Sequence, residues 1–135
     1  MKAKVTPFLM FEGRAEEAMT FYVSLMPDSG IQHITRYGPE GPGKEGSVVL
    51  ATFTLGGQQF KCIDSPVNHA FTFTPAMSIY INCASEAEID TLFGRLSEGG
   101  QVLMPLAAYP FSPKFGWLND RFGVSWQLNM ETQGS

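Results

Sequence analysis

One order of elements occurs twice in this 135-residue chain, and that repetition restricts the fold more than any single motif does. Residues 5 to 11, VTPFLMF, read as a strand that Gly13 breaks. From Arg14 to Met26 the apolar positions are Ala15, Ala18, Met19, Tyr22, Leu25 and Met26. Steps of three and four predict a helix with one buried stripe, ended by Pro27. Strands are predicted at Ile31 to Tyr37, Val48 to Leu55 and Gln58 to Asp64. The Gly/Pro-rich segment 38 to 47 forms a loop after the first of these, and Gly56-Gly57 is a hairpin signal before the last. After a Pro-containing connector at 65 to 75, the order returns. Ala76 to Asn82 reads as a strand. Ser85 and Glu88 form a capping box ahead of the helical stripe Ile89, Leu92, Phe93 and Leu96, which Gly99-Gly100 stops. A short strand at Gln101 to Met104, a loop at 105 to 114 with three prolines, and strands at Phe115 to Leu118 and Val124 to Met130 complete it.

Each half therefore reads strand, helix, three strands. The expected fold is α+β: two βαβββ modules forming curved mixed sheets around a cavity, each sheet with a helix on one face. One domain over 1–135 is expected, with module 1 at about 4–64, the connector at 65–75, module 2 at about 76–130 and a polar tail at 131–135.

Strand alternation then assigns faces. In the last strand Val124, Trp126 and Leu128 are apolar, whereas Ser125, Gln127 and Asn129 are polar. Ser78, Tyr80 and Asn82 likewise separate from Ile79 and Ile81. The polar sets are expected to face the cavity. In the first strand Pro7, Leu9 and Phe11 are expected to point inward, with Phe8 and Met10 against the helix. Trp117 and Trp126 read as core. An apolar-walled cavity with a few amides and hydroxyls is the composition of a small-molecule pocket. The candidate ligand-binding residues are Leu9, Phe11, Cys62, His69, Ser78, Tyr80 and Gln127. No catalytic residue is assigned. Cys62 has only Lys61 beside it to activate a thiolate, and His33 lies on a strand edge.

Composition removes other classes. A net charge of −4 and no Lys/Arg cluster argue against nucleic acid as partner. No apolar run approaches the ~20 residues needed to cross a bilayer, so no membrane partner is expected. No secretory leader is read at the start. Cys62 and Cys83 make no CxxC, and are expected to be free buried thiols of a cytoplasmic protein.

PFLMFEGRAEEAMTFY, HAFTFTPAMSIYINC and FGWLNDRFGVSWQLN resemble the PhnB-like branch of the vicinal oxygen chelate superfamily. That is the fold of glyoxalase I, extradiol dioxygenases and bleomycin-resistance proteins, and the branch carries the label 3-demethylubiquinone-9 3-methyltransferase. The resemblance covers about residues 4 to 130. It implies a homodimer, and four ligand positions on the first and last strand of each module. Those positions are filled in metal-using members by His or Gln, Glu, His and Glu. Counted from the Phe21-Tyr22 pair and the Asp120 to Gly123 turn, they fall on Pro7, on Lys61 or Cys62, on Ser78 or Met77, and on Gln127. No metal and no cofactor is therefore expected. The implied function is a metal-independent small-molecule binding protein, or an enzyme of unknown reaction, on this scaffold. A metal-dependent lyase or dioxygenase is the alternative, and a purely structural dimer module is a further one. The methyltransferase of the label lacks a Gly-rich strand-to-helix loop here for S-adenosylmethionine.

Overall fold

The computed structural model describes residues 3–131, so residues 132–135 of the expected tail lie outside the described residues. The elements run β1 (Phe8–Phe11), α1 (Ala15–Val23), β2 (Gly30–Arg36), β3 (Val48–Leu55), β4 (Gln58–Asp64), β5 (Ser78–Cys83), α2 (Glu86–Ser97), β6 (Gln101–Tyr109), β7 (Ser112–Asn119) and β8 (Ser125–Met130). They form two compact units, 3–70 and 71–131, which divide the expected connector between them. The sheet orders are β1-β4-β3-β2 and β5-β8-β7-β6. In each sheet the module's first and last strands pair in parallel, and the other neighbours are antiparallel. The repeat of element order is thus a repeat of topology, in two mixed four-stranded sheets.

In the first unit a buried carboxylate ties three segments together. Asp64 Oδ1 accepts from the backbone N–H groups of Gly13 and Ala15, both at 2.9 Å, and Oδ2 accepts from that of Val48 at 3.0 Å. It satisfies donors at the start of α1, where the helix has no internal acceptors and favours negative charge. Helix α1 buries Ala15, Ala18, Met19 and Tyr22. It ends three residues before the expected Met26, because the Ser24 hydroxyl and amide both turn back to the Phe21 carbonyl. Strands β3 and β4 have the expected bounds. Their two-residue turn holds Gly56 at φ 55 and Gly57 at φ 84, the left-handed pair of a type I′ hairpin.

The faces of β1 are the reverse of the expectation. Leu9 lies beside Cys62, and Cys62 beside Ala51; Phe11 lies beside Asp64. All these side chains are buried on the side that carries α1, whereas Phe8 is 56% exposed. The five-residue VTPFL start offers two apolar sets, so alternation alone could not choose between them; pairing with β4 does.

The second unit departs most at 105 to 114. This segment is not a loop but most of a long hairpin, β6 running to Tyr109 and β7 starting at Ser112. Two of its three prolines, Pro105 and Pro110, are tolerated for positional reasons. β6 is the edge strand of the sheet, and its register shifts on either side of Pro105. Pro110 lies in the tight turn. Helix α2 begins as expected, with Glu88 N–H donating to Ser85 Oγ at 3.2 Å; the Glu88 carboxylate returns to the Ala84 N–H rather than to that of Ser85. It packs Ile89, Leu92 and Leu96 on the face of the sheet that holds Leu118, Trp126 and Leu128, all buried. Gly116 stands under Phe93: a Cβ there would come within 2.3 Å of the ring. Gly116→Ala is therefore expected to destabilise the protein by about 1–3 kcal/mol, the usual cost of overpacking. Urea denaturation should also show Phe93→Leu recovering part of that loss in the double variant.

Candidate functional site

The register of β8 rests on Asp120. Its Oδ1 accepts from the N–H groups of Phe122 and Val124 at 2.8 and 3.0 Å, closing the turn that leads into β8. Its Oδ2 accepts from Trp126 Nε1 at 2.8 Å, which holds that indole on the α2 side. With Trp126 fixed there, alternation turns Ser125, Gln127 and Asn129 to the opposite, helix-free face. Three rows cross this face in register: Ser78, Ser125 and Asn119; Tyr80, Gln127 and Trp117; Asn82, Asn129 and Phe115.

A neutral hydrogen-bond network occupies the first two rows. Trp117 Nε1 donates to Ser125 Oγ at 2.9 Å, and Ser125 Oγ and Ser78 Oγ share a hydrogen bond of 2.6 Å. Gln127 Nε2 donates to Ser78 Oγ at 3.1 Å. The Gln127 carbonyl oxygen has no partner among the described residues, and Asn119 Oδ1 is buried without one. The half-buried Gln127 amide can accept a hydrogen bond from a ligand. The Tyr80 ring is 53% exposed and lies 6.5 Å from that of Phe115. No residue of the three rows carries a charge.

Of the expected ligand-binding residues, Ser78, Tyr80 and Gln127 thus share one face. Leu9, Phe11 and Cys62 lie on the α1 side of the first sheet, under the helix. Pro7 precedes β1, and its carbonyl accepts from the Lys61 N–H. His69 belongs to neither sheet. Its N–H donates to Glu12 Oε2 at 3.2 Å, and its Nε2 lies 2.9 Å from Ser65 Oγ. Ser65 also bonds the backbone of Val67, so the three residues close a local turn. That turn borders an open cleft of about 480 Å³, lined by residues including Glu12, Lys44, Asp64 and Ser65. The Asp64 oxygens there are already committed to backbone donors, so the cleft's central carboxylate is structural.

Sequence reasoning placed Trp117 in the core. It lies on the helix-free face instead, as its two-residue offset from Phe115 and Asn119 could have indicated. Trp126 and the face assignments of β5 and β8 are as expected.

Both thiols are free and fully buried. Burial pushes each up to about 12, with Asp64 adding to the effect at Cys62 and Glu88 at Cys83. Neither is a nucleophile at neutral pH. Since the folded values are raised above 9.0, the stabilisation is complete below that pH and is lost as pH rises toward 12. A Cys62→Ala, Cys83→Ala variant is expected to lose less melting temperature over that window than the native protein. Native thiols should react with a maleimide only on unfolding.

At the positions where the resemblance implies metal ligands, the residues present do not fit a divalent cation. Pro7 offers no side-chain donor, Cys62 is turned under α1, and Lys61 is a cation. Ser78 Oγ is engaged by Ser125 and Gln127. The alternative Met77 precedes β5 and is 72% exposed. The corrected face of β1 presents Phe8 and Met10, which add no hard donor. Among the described residues no three His, Cys, Asp or Glu side chains come together.

Residues 3–129 match the profile of a family described as 3-demethylubiquinone-9 3-methyltransferase. No curated protein matches the sequence. Among solved structures, a PhnB protein from Bacillus cereus is 64% identical, with a TM-score of 0.94 over 96% of this chain and 100% of its own. The protein PA1353 from Pseudomonas aeruginosa is 30% identical, with a TM-score of 0.79 over 98% of this chain and 100% of its own. A glyoxylase/bleomycin resistance protein/dioxygenase domain from Frankia is 13% identical, covers 100% of this chain and 96% of its own with a TM-score of 0.64, and shares the fold alone. With its two βαβββ units and these relatives, the chain belongs to the family described as 3-demethylubiquinone-9 3-methyltransferase, together with the PhnB protein of Bacillus cereus.

Proposed function

We propose that this protein binds a small organic molecule without a metal ion, through the helix-free face of its second sheet. The observation that carries the reading is the Gln127 amide. Its position is one where the resemblance implies a metal ligand; here Nε2 is held by Ser78 at 3.1 Å and the carbonyl oxygen has no partner among the described residues. An amide that is half buried, pinned at one end and open at the other is a hydrogen-bonding group for a ligand. Trp117 and Ser125 brace Ser78 from behind, so the geometry is preorganised. The neighbouring exposed Tyr80, backed by the buried Phe115 ring, offers apolar contact.

A homodimer in the cytoplasm is part of this reading. Its support is the exposure of large apolar side chains, Phe8, Tyr80 and Phe111 among them, and two buried reduced thiols suited to a reducing compartment. Methyl transfer from S-adenosylmethionine is not part of it. Each sheet is mixed, with one parallel pair, and neither has the doubly wound parallel order that carries the usual nucleotide-binding loop. Titration calorimetry with S-adenosylmethionine is expected to give no saturable heat; micromolar binding would restore the methyltransferase reading.

Native mass spectrometry of the purified protein, followed by a thermal-shift screen of small molecules, tests the proposal. A dimer free of transition metal is expected. Ligands that raise the melting temperature should bind Gln127→Leu more weakly by about 1–3 kcal/mol, the cost of leaving a ligand donor buried and unpaired. The variant should itself unfold near the native midpoint, since Trp126 and Leu128 are untouched. Stoichiometric metal held at Ser78 and Gln127, or ligands indifferent to Gln127→Leu, would overturn it.

A further inference from the structure

The helix-free face of the first sheet has a different chemistry from that of the second. One row crosses all four strands in register: His33 on β2, Thr52 on β3, Lys61 on β4 and Phe8 on β1. Neighbouring strands stand about 4.8 Å apart, so these side chains form a continuous line. Lys61 is half buried, and its ammonium has no hydrogen-bond or ion-pair partner among the described residues. His33 Nε2 lies 3.0 Å from Thr35 Oγ1 on the same face. On one side of the row stand the apolar Leu50, Met10 and Ile63, and on the other the uncharged polar Thr54 and Gln59. No acidic residue belongs to these rows, although the chain has 13 Asp and Glu against 9 Lys and Arg. The first unit's acids lie elsewhere: Glu16 and Glu17 on α1, Asp64 under it, and the others in loops and turns.

An ammonium without a partner, beside an exposed aromatic ring and a hydroxyl, can take an anion by a charge-assisted hydrogen bond. The charge count selects the anion's class. One lysine flanked by a hydroxyl and apolar groups matches a single negative charge, whereas a doubly charged phosphate ester calls for more than one cation. The Phe8 ring, 56% exposed beside Lys61, offers a surface for an apolar body attached to that charge. We propose that this face binds an organic carboxylate, its carboxylate on Lys61 and Thr52 and its apolar part on Phe8. Lys61, Thr52 and Phe8 all belong to the first unit and Gln127 to the second, so substitutions at Lys61 test this proposal without altering the Gln127 amide.

Benzoate is the probe, with benzyl alcohol as its uncharged counterpart, in an NMR titration of the ¹⁵N-labelled full chain at constant ionic strength. Benzoate is expected to give saturable shifts at the amides of Phe8, Thr52 and Lys61, and benzyl alcohol to bind at least about tenfold more weakly. Lys61→Met should lose benzoate binding by a similar factor, Lys61→Arg should keep it, and Lys44→Met in the loop should leave it unchanged. Equal binding of the two probes, benzoate shifts that survive Lys61→Met, or shifts that never saturate would overturn the proposal. So would a sedimentation mass and cross-linking pattern showing this row covered by a second copy of the chain with no response to benzoate.

Discussion

The Asp120 carboxylate governs the second unit, because three donors converge on it. Two are backbone amides of the turn before β8, and the third is the indole of a fully buried tryptophan. A one-residue slip of β8 would pull Trp126 from Asp120 and expose it, while driving Ser125 or Gln127 under α2. The apolar and polar terms therefore favour the same register. Asp64 has the corresponding task in the first unit, joining the entry of α1 to β3 and the end of β4. Both carboxylates are committed to structural donors, Asp64 to backbone amides and Asp120 to two backbone amides and an indole, which is why neither is available for chemistry.

What the sequence showed depended on whether two neighbouring faces differed in polarity. In β8 and β5 small polar residues alternate with large apolar ones, and Gln127, Ser78 and Tyr80 could be placed from that alone. In β1 both faces are apolar. Phe8 and Met10 are as hydrophobic as Leu9 and Phe11, so only pairing with Cys62 and Asp64 distinguishes them. The strands β3 and β4 were legible to the residue because Gly56-Gly57 fixes their turn. The hairpin at 101 to 119 was not, because proline depresses the reading of any strand, and no local signal tells an edge strand from a central one. The network of Trp117, Ser125 and Ser78 was half visible: the serines followed from alternation, while a tryptophan defaults to core in any count by residue type.

The two sheets share a topology but not a surface chemistry. The second presents amides, hydroxyls and rings without charge; the first presents an ammonium and an imidazole among apolar and uncharged polar side chains. Both carry their buried core on the helix side, so their open faces are free to differ without altering the packing of α1 or α2. A repeated unit can thus hold its architecture constant while each copy acquires its own recognition properties.

The prolines of the β6–β7 hairpin bear on how the protein behaves when crowded. An edge strand displays a row of unpaired N–H and C=O groups that can template growth of the sheet by another chain. β6 is nine residues long, which would make it such a template. Pro105 removes a donor from the middle of that row, and the register irregularities around it bend the strand out of a flat ladder. An irregular, proline-interrupted edge is a poorer template for a neighbouring chain than a flat nine-residue ladder would be.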